Sequence, residues 1–252
     1  MKTFIKNFIR NDLGYDIRRI KLPPNSPDRP MGFVPLFEGV KYRGVECRTF
    51  LDGGANTTSV SRTIKKIYPG AKCILIEPNE DLKPYLQKFC NEFKDSKYFL
   101  SGLGAKKEVL TFTVSDYIGG STFMYNRDEE LIRTNKQKDV QVISIDDLIT
   151  SGEMEIPDII KLDIQGFEIE ALRGASKTFG KTEIYLLETA MFKFEDSPGM
   201  PDFTDIFNFM AERNYVPYEF AAFLRRPYDG ALGSCDVAFA KKDGILRKSA
   251  KW

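Results

Sequence analysis

The sequence contains no histidine. This excludes Ser-His and Cys-His nucleophiles, and it excludes histidine-ligated zinc or haem. A general base here must be a carboxylate, lysine, tyrosine, cysteine or bound water. Cysteine is sparse, at Cys47, Cys73, Cys90 and Cys235, with no CxxC spacing. That reads as small buried hydrophobes in a reducing compartment, not as a disulfide frame. Neither charge is in excess: Lys+Arg 37 against Asp+Glu 36 leaves a net charge of +1. So even a balance argues against a dedicated nucleic-acid binder. No apolar run approaches the ~20 residues of a membrane span. No integral membrane segment is expected, and a cytoplasmic location is. The first twenty residues are basic and amphipathic. They lack the apolar core of a signal peptide and read as a helix packed on its own domain.

The composition, 42% hydrophobic and 29% charged over 252 residues, is that of a folded chain with room for one large α/β domain. Five prolines between residues 21 and 35 predict an extended connection. The expected layout is a helix and lead-in over 1–47, the main domain over 48–241 and a basic, frayed tail over 242–252.

From residue 47 the chain alternates strand and helix patterns. Five core strands are expected, ending in turn at Asp52, Glu77, Ser101, Asp163 and Glu188. Helices are expected around Val60, Ile64 and Ile67, around Leu82, Leu86, Phe89 and Phe93, over 166–179, and around Phe203, Ile206, Phe207 and Met210. Between the third and fourth strands, runs at 109–114 and 140–145 suggest a hairpin-like insertion with a mobile loop. After the last helix, runs at 215–224 and 235–240 are separated by ten residues with no helical period. Such a link cannot easily make a parallel crossover, so the two strands should be antiparallel.

Ligands of an open parallel sheet bind beyond the carboxyl ends of its strands, and four of these five ends carry an acid. The sharpest element is Asp52-Gly53-Gly54-Ala55-Asn56. Its glycines let backbone approach a ligand, and a helix N-terminus follows. The GxGxxG spacing and the phosphate-loop lysine are both missing. An acid there suits an ammonium, a sulfonium or a ribose better than a pyrophosphate. Glu77, in Glu77-Pro78-Asn79, lies where an acid can accept from a ribose diol. In Lys161-Leu162-Asp163-Ile164-Gln165-Gly166-Phe167-Glu168, Asp163 could hold a ligand amine, bind a metal or act as a base. Glu168 is either a helix-dipole partner or functional.

These three motifs, with Leu172-Arg173-Gly174-Ala175 after them, resemble the FkbM family of S-adenosylmethionine-dependent methyltransferases over roughly residues 48–190. The resemblance implies a three-layer, Rossmann-like class I methyltransferase fold. Its sheet would be mostly parallel and seven-stranded, with an antiparallel last strand. It also implies methyl transfer from S-adenosylmethionine to a hydroxyl of a sugar, glycan or glycosylated natural product. Cofactor binding then falls to Asp52, Gly53, Gly54, Ala55, Asn56, Glu77, Pro78, Ser101, Gly102 and Asp163. Three positions depart from the pattern. Thr58 stands where a glycine is common, Gln165 where many members have Glu, and Ser101 where many class I enzymes have an acid near the adenine.

A sugar hydroxyl is a weak acid, so its proton needs an acceptor. Asp163 and Glu188 are the candidates, and the pair could instead hold a divalent ion. Residues 115–138 and 191–201 are the expected substrate lids, with Tyr117, Phe123, Tyr125, Phe192 and Phe194 able to stack on a sugar. The competing readings are a non-catalytic binding module on the same fold and a nicotinamide oxidoreductase.

Overall fold

The computed structural model describes residues 23, 30–116, 120–195, 197 and 199–251. The expected N-terminal helix and Tyr117 lie outside these. The chain divides into two compact units, Met1–Pro30 and Met31–Trp252. The elements below belong to the second.

The second unit opens with a helix, α1 (Phe33–Tyr42), where an extended lead-in was expected. Pro35 does not prevent it, because a first-turn residue needs no N–H partner. Leu36, Phe37 and Val40 are fully buried, so α1 is part of the core. The chain continues through β1 (Thr49–Gly53), α2 (Ser59–Ile67), β2 (Lys72–Ile76), α3 (Lys83–Glu92) and β3 (Lys97–Phe99). Next come β4 (Gly102–Leu103), β5 (Glu108–Thr113), α4 (Glu129–Arg133), β6 (Gln137–Ile143), α5 (Ile145–Thr150) and β7 (Ile159–Leu162). It ends with α6 (Glu168–Arg173), β8 (Ile184–Ala190), α7 (Phe203–Ala211), β9 (Tyr215–Arg225) and β10 (Leu232–Lys241).

Seven strands form one sheet in the order β3-β2-β1-β7-β8-β10-β9. β10 is antiparallel to both β8 and β9, and the other pairings are parallel. The expected antiparallel closure is therefore present, with the last strand inserted inside the edge. One face packs α1, α2 and α3 against Phe50, Leu75, Ile159 and Leu186. The other packs α5, α6 and α7 against Leu51, Ile160, Leu187 and Val237. These are the three layers. The insertion forms its own small sheet, β4-β6-β5, in which β5 and β6 are the expected hairpin-like pair.

Three expectations need correcting. The helix expected over 166–179 stops at Arg173. The Asp146 carboxylate accepts from the Ser176 and Lys177 backbone N–H groups, removing them from any helical ladder. A side chain at Gly174 would also collide with the Gly104 carbonyl, 2.2 Å from its Cβ position. Glu188 does not end its strand, because β8 runs on to Ala190 by pairing with β10. The basic tail is not wholly frayed: Ile245 and Leu246 pack on the core that holds α1.

Candidate active site

A polar row crosses one face of this sheet near its carboxyl edge. Asp52 on β1 is in register with Lys161 on β7, and Glu188 on β8 with Asp236 on β10. Side chains alternate along a strand, which puts all four on the α1–α3 side. Lys161 is the hub and is almost fully buried. Its Nζ lies 3.3 Å from Asp52 and 3.5 Å from Asp163, and it donates to the carbonyls of Gly53 (3.2 Å) and Gly54 (2.6 Å). Burial alone would lower its pKa, but the two carboxylates outweigh that and raise it. Its signal in the sequence is a lone charge in the apolar run Ile159–Leu162.

The turn after β1 is built on this hub. Asp52 is fully buried and accepts from Ser61 Oγ at 2.5 Å. Burial still pushes its pKa up, against Lys161 and Ser61. Gly54 has φ +71, and an added Cβ would meet the Asp163 carbonyl at 1.9 Å. Only glycine lets the turns after β1 and β7 touch here. Asn56 and Thr58 also have positive φ, 46° and 67°. Thr58 makes no side-chain cap to α2.

The turn after β7 is held from both ends. The Glu168 carboxylate accepts from Ile164 N at 2.9 Å and from Gly166 N at 3.0 Å. Glu168 therefore clamps the turn, and burial raises its pKa to about 7. Between those two residues Gln165 has φ +54. Its Nε2 donates to Asp163 Oδ1 at 2.9 Å and to Glu188 Oε2 at 2.5 Å. Burial would raise the Asp163 pKa, but Lys161 holds it below the ordinary carboxylate range. Glu188 goes well above that range, through burial and then through the charge of Asp163.

A cavity of about 240 Å³ opens between these turns, the end of β2 and the insertion. Of the eleven positions named from sequence, Gly54, Asn56, Glu77, Pro78, Ser101, Gly102 and Asp163 line it. Asp52, Gly53 and Ala55 lie behind the wall. Glu188 is also off the wall and is joined to it through Gln165. The Glu77 carboxylate accepts from Asn56 N (2.9 Å) and Asn79 N (3.0 Å), one bond to each oxygen, which leaves lone pairs toward the cavity. Burial raises its pKa. Ser101 Oγ and Asn56 Oδ1 are buried with no hydrogen-bond partner. Ile76, Leu103, Phe112 and Phe123 supply the apolar wall.

A family model for the methyltransferase FkbM domain matches residues 52–217. The chain belongs to the FkbM methyltransferase family. A crystal structure of methyltransferase FkbM from Methylobacillus flagellatus is similar to it, with TM-score 0.54 and 17% identity, covering 86% of this chain and 50% of that one. The chain thus spans half the length of that FkbM structure. The O-methyltransferase TomG from Streptomyces achromogenes, solved with SAM, matches at TM-score 0.46 and 10% identity, over 96% of this chain and 99% of TomG. No curated protein matches the sequence. The class I methyltransferase fold is that of the FkbM chain described here.

The insertion forms the roof over the FkbM site. Thr122 Oγ1 donates to the Gln165 carbonyl at 2.7 Å. Phe123 packs at a tilt between Phe112 (4.8 Å) and Phe167 (5.5 Å) and presents its remaining surface to the cavity. Phe192 is covered by the Arg226 guanidinium, 4.0 Å from its ring centre. Tyr125 lies 3.4 Å from Ser197, which ties the insertion to the 191–201 loop. No group of three or more His, Cys, Asp or Glu among the described residues is placed to hold a metal ion. The nitrogen atoms of Lys161 and Gln165 stand between the acids. Among the described residues no helix is long and apolar enough to cross a membrane.

Proposed function

We propose that this chain, with residues 48–241 as its catalytic domain, transfers a methyl group from S-adenosylmethionine to a hydroxyl of a sugar, glycan or glycosylated natural product. The carrying observation is the pair of carboxyls at the cavity edge, Asp163 on the wall and Glu188 joined to it through one amide, with Lys161 lowering the pKa of the first and burial raising that of the second. Two carboxyls pushed apart in this way can divide the work of charge stabilisation and proton transfer.

The residues present fit the cofactor. Glu77 has free lone pairs for a ribose diol, and the unpartnered Asn56 and Ser101 oxygens offer further contacts. The apolar wall suits a flat base. S-adenosylmethionine supplies an electrophilic sulfonium methyl when bound. Asp163 provides the negative charge on the wall that a cationic ligand needs. Asp163 and Glu188 together are the groups available to take the proton of the acceptor hydroxyl, Asp163 from the wall and Glu188 behind it through their shared hydrogen bond. Lys161 and Ser61 hold Asp52, and Asp52 holds the turn. The insertion and the 191–201 loop exclude water over the acceptor.

Thermal unfolding with S-adenosylmethionine, its demethylated product and NADH tests the reading. The first two should raise the midpoint and NADH should not. Stabilisation by NADH alone would point to an oxidoreductase. Labelled methyl transfer into a glycan extract then identifies the acceptor. Tight cofactor binding with no transfer to any hydroxyl acceptor would favour the binding module. The near-neutral charge fits a small-molecule or glycan partner, not nucleic acid.

A further inference from the structure

Gln165 is held in an unusual way for a residue with no assigned chemistry. Its φ of +54 lies in the left-handed region, which is strained for a side chain other than glycine. The surroundings enforce that conformation. Glu168 pins the N–H groups on both sides of it, and the Thr122 hydroxyl holds its carbonyl. Backbone strain that is so thoroughly enforced marks functional turns. The result aims one amide nitrogen at two carboxyls. Only the nitrogen end of an amide can donate, so its orientation here follows from chemistry. Both of its hydrogens are used, one on Asp163 and one on Glu188.

We propose that Gln165 is a positioning residue, whose amide ties the carboxyl of Asp163 to that of Glu188 and so sets how the pair is held at the cavity edge. This rests on the reading of those two acids as the working pair. Glu188 itself sits off the cavity wall; besides the amide, its carboxyl hydrogen-bonds that of Asp163 and lies 3.4 Å from the Ser234 hydroxyl. The Gln165 amide bridges the same two acids a second time. Charged groups act on it from the neighbouring elements: Asp163 beyond β7, Glu168 on α6 and Asp236 on β10. Without the amide, the shared proton would be the only donor between the two carboxyls, and Glu188 would hold it to higher pH.

The test uses Gln165→Asn. Asparagine tolerates the left-handed region better than most residues, so the fold should keep its melting midpoint or gain. Its amide is one C–C bond shorter and cannot span both acids. Carbon-13 NMR of glutamate-labelled full-length protein reads the Glu188 carboxyl directly, with Glu188→Gln to assign its signal. The Glu188 titration midpoint should rise by about one pH unit, the worth of one charge-assisted hydrogen bond. Gln165→Leu, which has no donor, should move it at least as far. An unchanged midpoint in either folded variant overturns the proposal. The titration needs no cofactor, so it is separable from the functional reading. If the demethylated cofactor fails to bind wild-type protein, that reading fails, while a shifted midpoint still supports the tie made by Gln165.

Discussion

Asp52 and Asp163 stand at the ends of neighbouring parallel strands and share one lysine, yet they are held in opposite states. Lys161 Nζ is 3.3 Å from the first and 3.5 Å from the second. The pKa of Asp52 is raised by burial, and that of Asp163 is lowered by Lys161 against burial. Access separates them. Asp52 is the fourth residue of β1 and is fully enclosed. Asp163 is the first residue past β7, and its side chain is 39% exposed. Two positions of strand register divide a carboxyl that organises the turn from one that can meet a ligand.

Removing the shared lysine should have the largest effect. Lys161→Met leaves Asp52 buried with only Ser61 beside it. Stripping one partner from a buried ion pair costs about 3–5 kcal/mol, and chemical denaturation would measure it. Adding Asp52→Asn should return more than half of the loss, because the orphaned charge goes with it. No recovery in the double variant would mean that Lys161 works mainly through the Gly53 and Gly54 carbonyls.

The comparison itself is tested by exchanging amides for acids. Asp163→Asn should leave unfolding within about 1 kcal/mol of wild type and cut methyl transfer by about 100-fold or more. Asp52→Asn should show the reverse weighting, with stability changing more than the rate per folded molecule. If both variants lose rate equally at unchanged stability, the division between scaffold acid and working acid is wrong.

Asp236, half-buried on β10, adds a third case. Its pKa rises from 3.8 to about 7, through burial and then the charge of Asp163. Between about pH 4 and pH 7 the folded state keeps a proton that the unfolded chain has released. Stability contributed this way falls as pH rises across that window. Asp236→Asn should stabilise the protein by ~1 kcal/mol above pH 7 and match wild type below pH 4. The slope should shrink but persist, because Glu168 titrates in the same direction. An identical pH–stability curve in the variant would place Asp236 in water.

Much of this frame was legible. Short apolar runs ending in acids gave the parallel strands, and the lack of a helix after residue 224 gave the antiparallel closure. What escaped was set by contacts between distant residues. Nothing local to 166–179 announces that Asp146 takes the helix's next N–H groups. The pairing of Glu188 with Asp236 comes from register between strands nearly fifty residues apart. Lys161 was the exception. A lysine inside a fully buried strand must be paired, and that alone pointed to acids on its flanks.

The smallest expected effect concerns the first turn alone. Thr58 is buried, β-branched and held at φ +67 without capping α2. Its counterpart in the second turn, Gln165, carries similar strain but gains two charge-assisted hydrogen bonds from it. Thr58 has no such return. Thr58→Gly should relieve roughly 1–2 kcal/mol of left-handed strain and lose part of that to glycine's greater freedom when unfolded and to the missing side chain. The net gain should be about 0.5 kcal/mol, read as a small rise in melting midpoint with cofactor affinity unchanged. A clear loss of stability would show that the Thr58 side chain supports the turn by packing, and would make the two turns alike where they now differ.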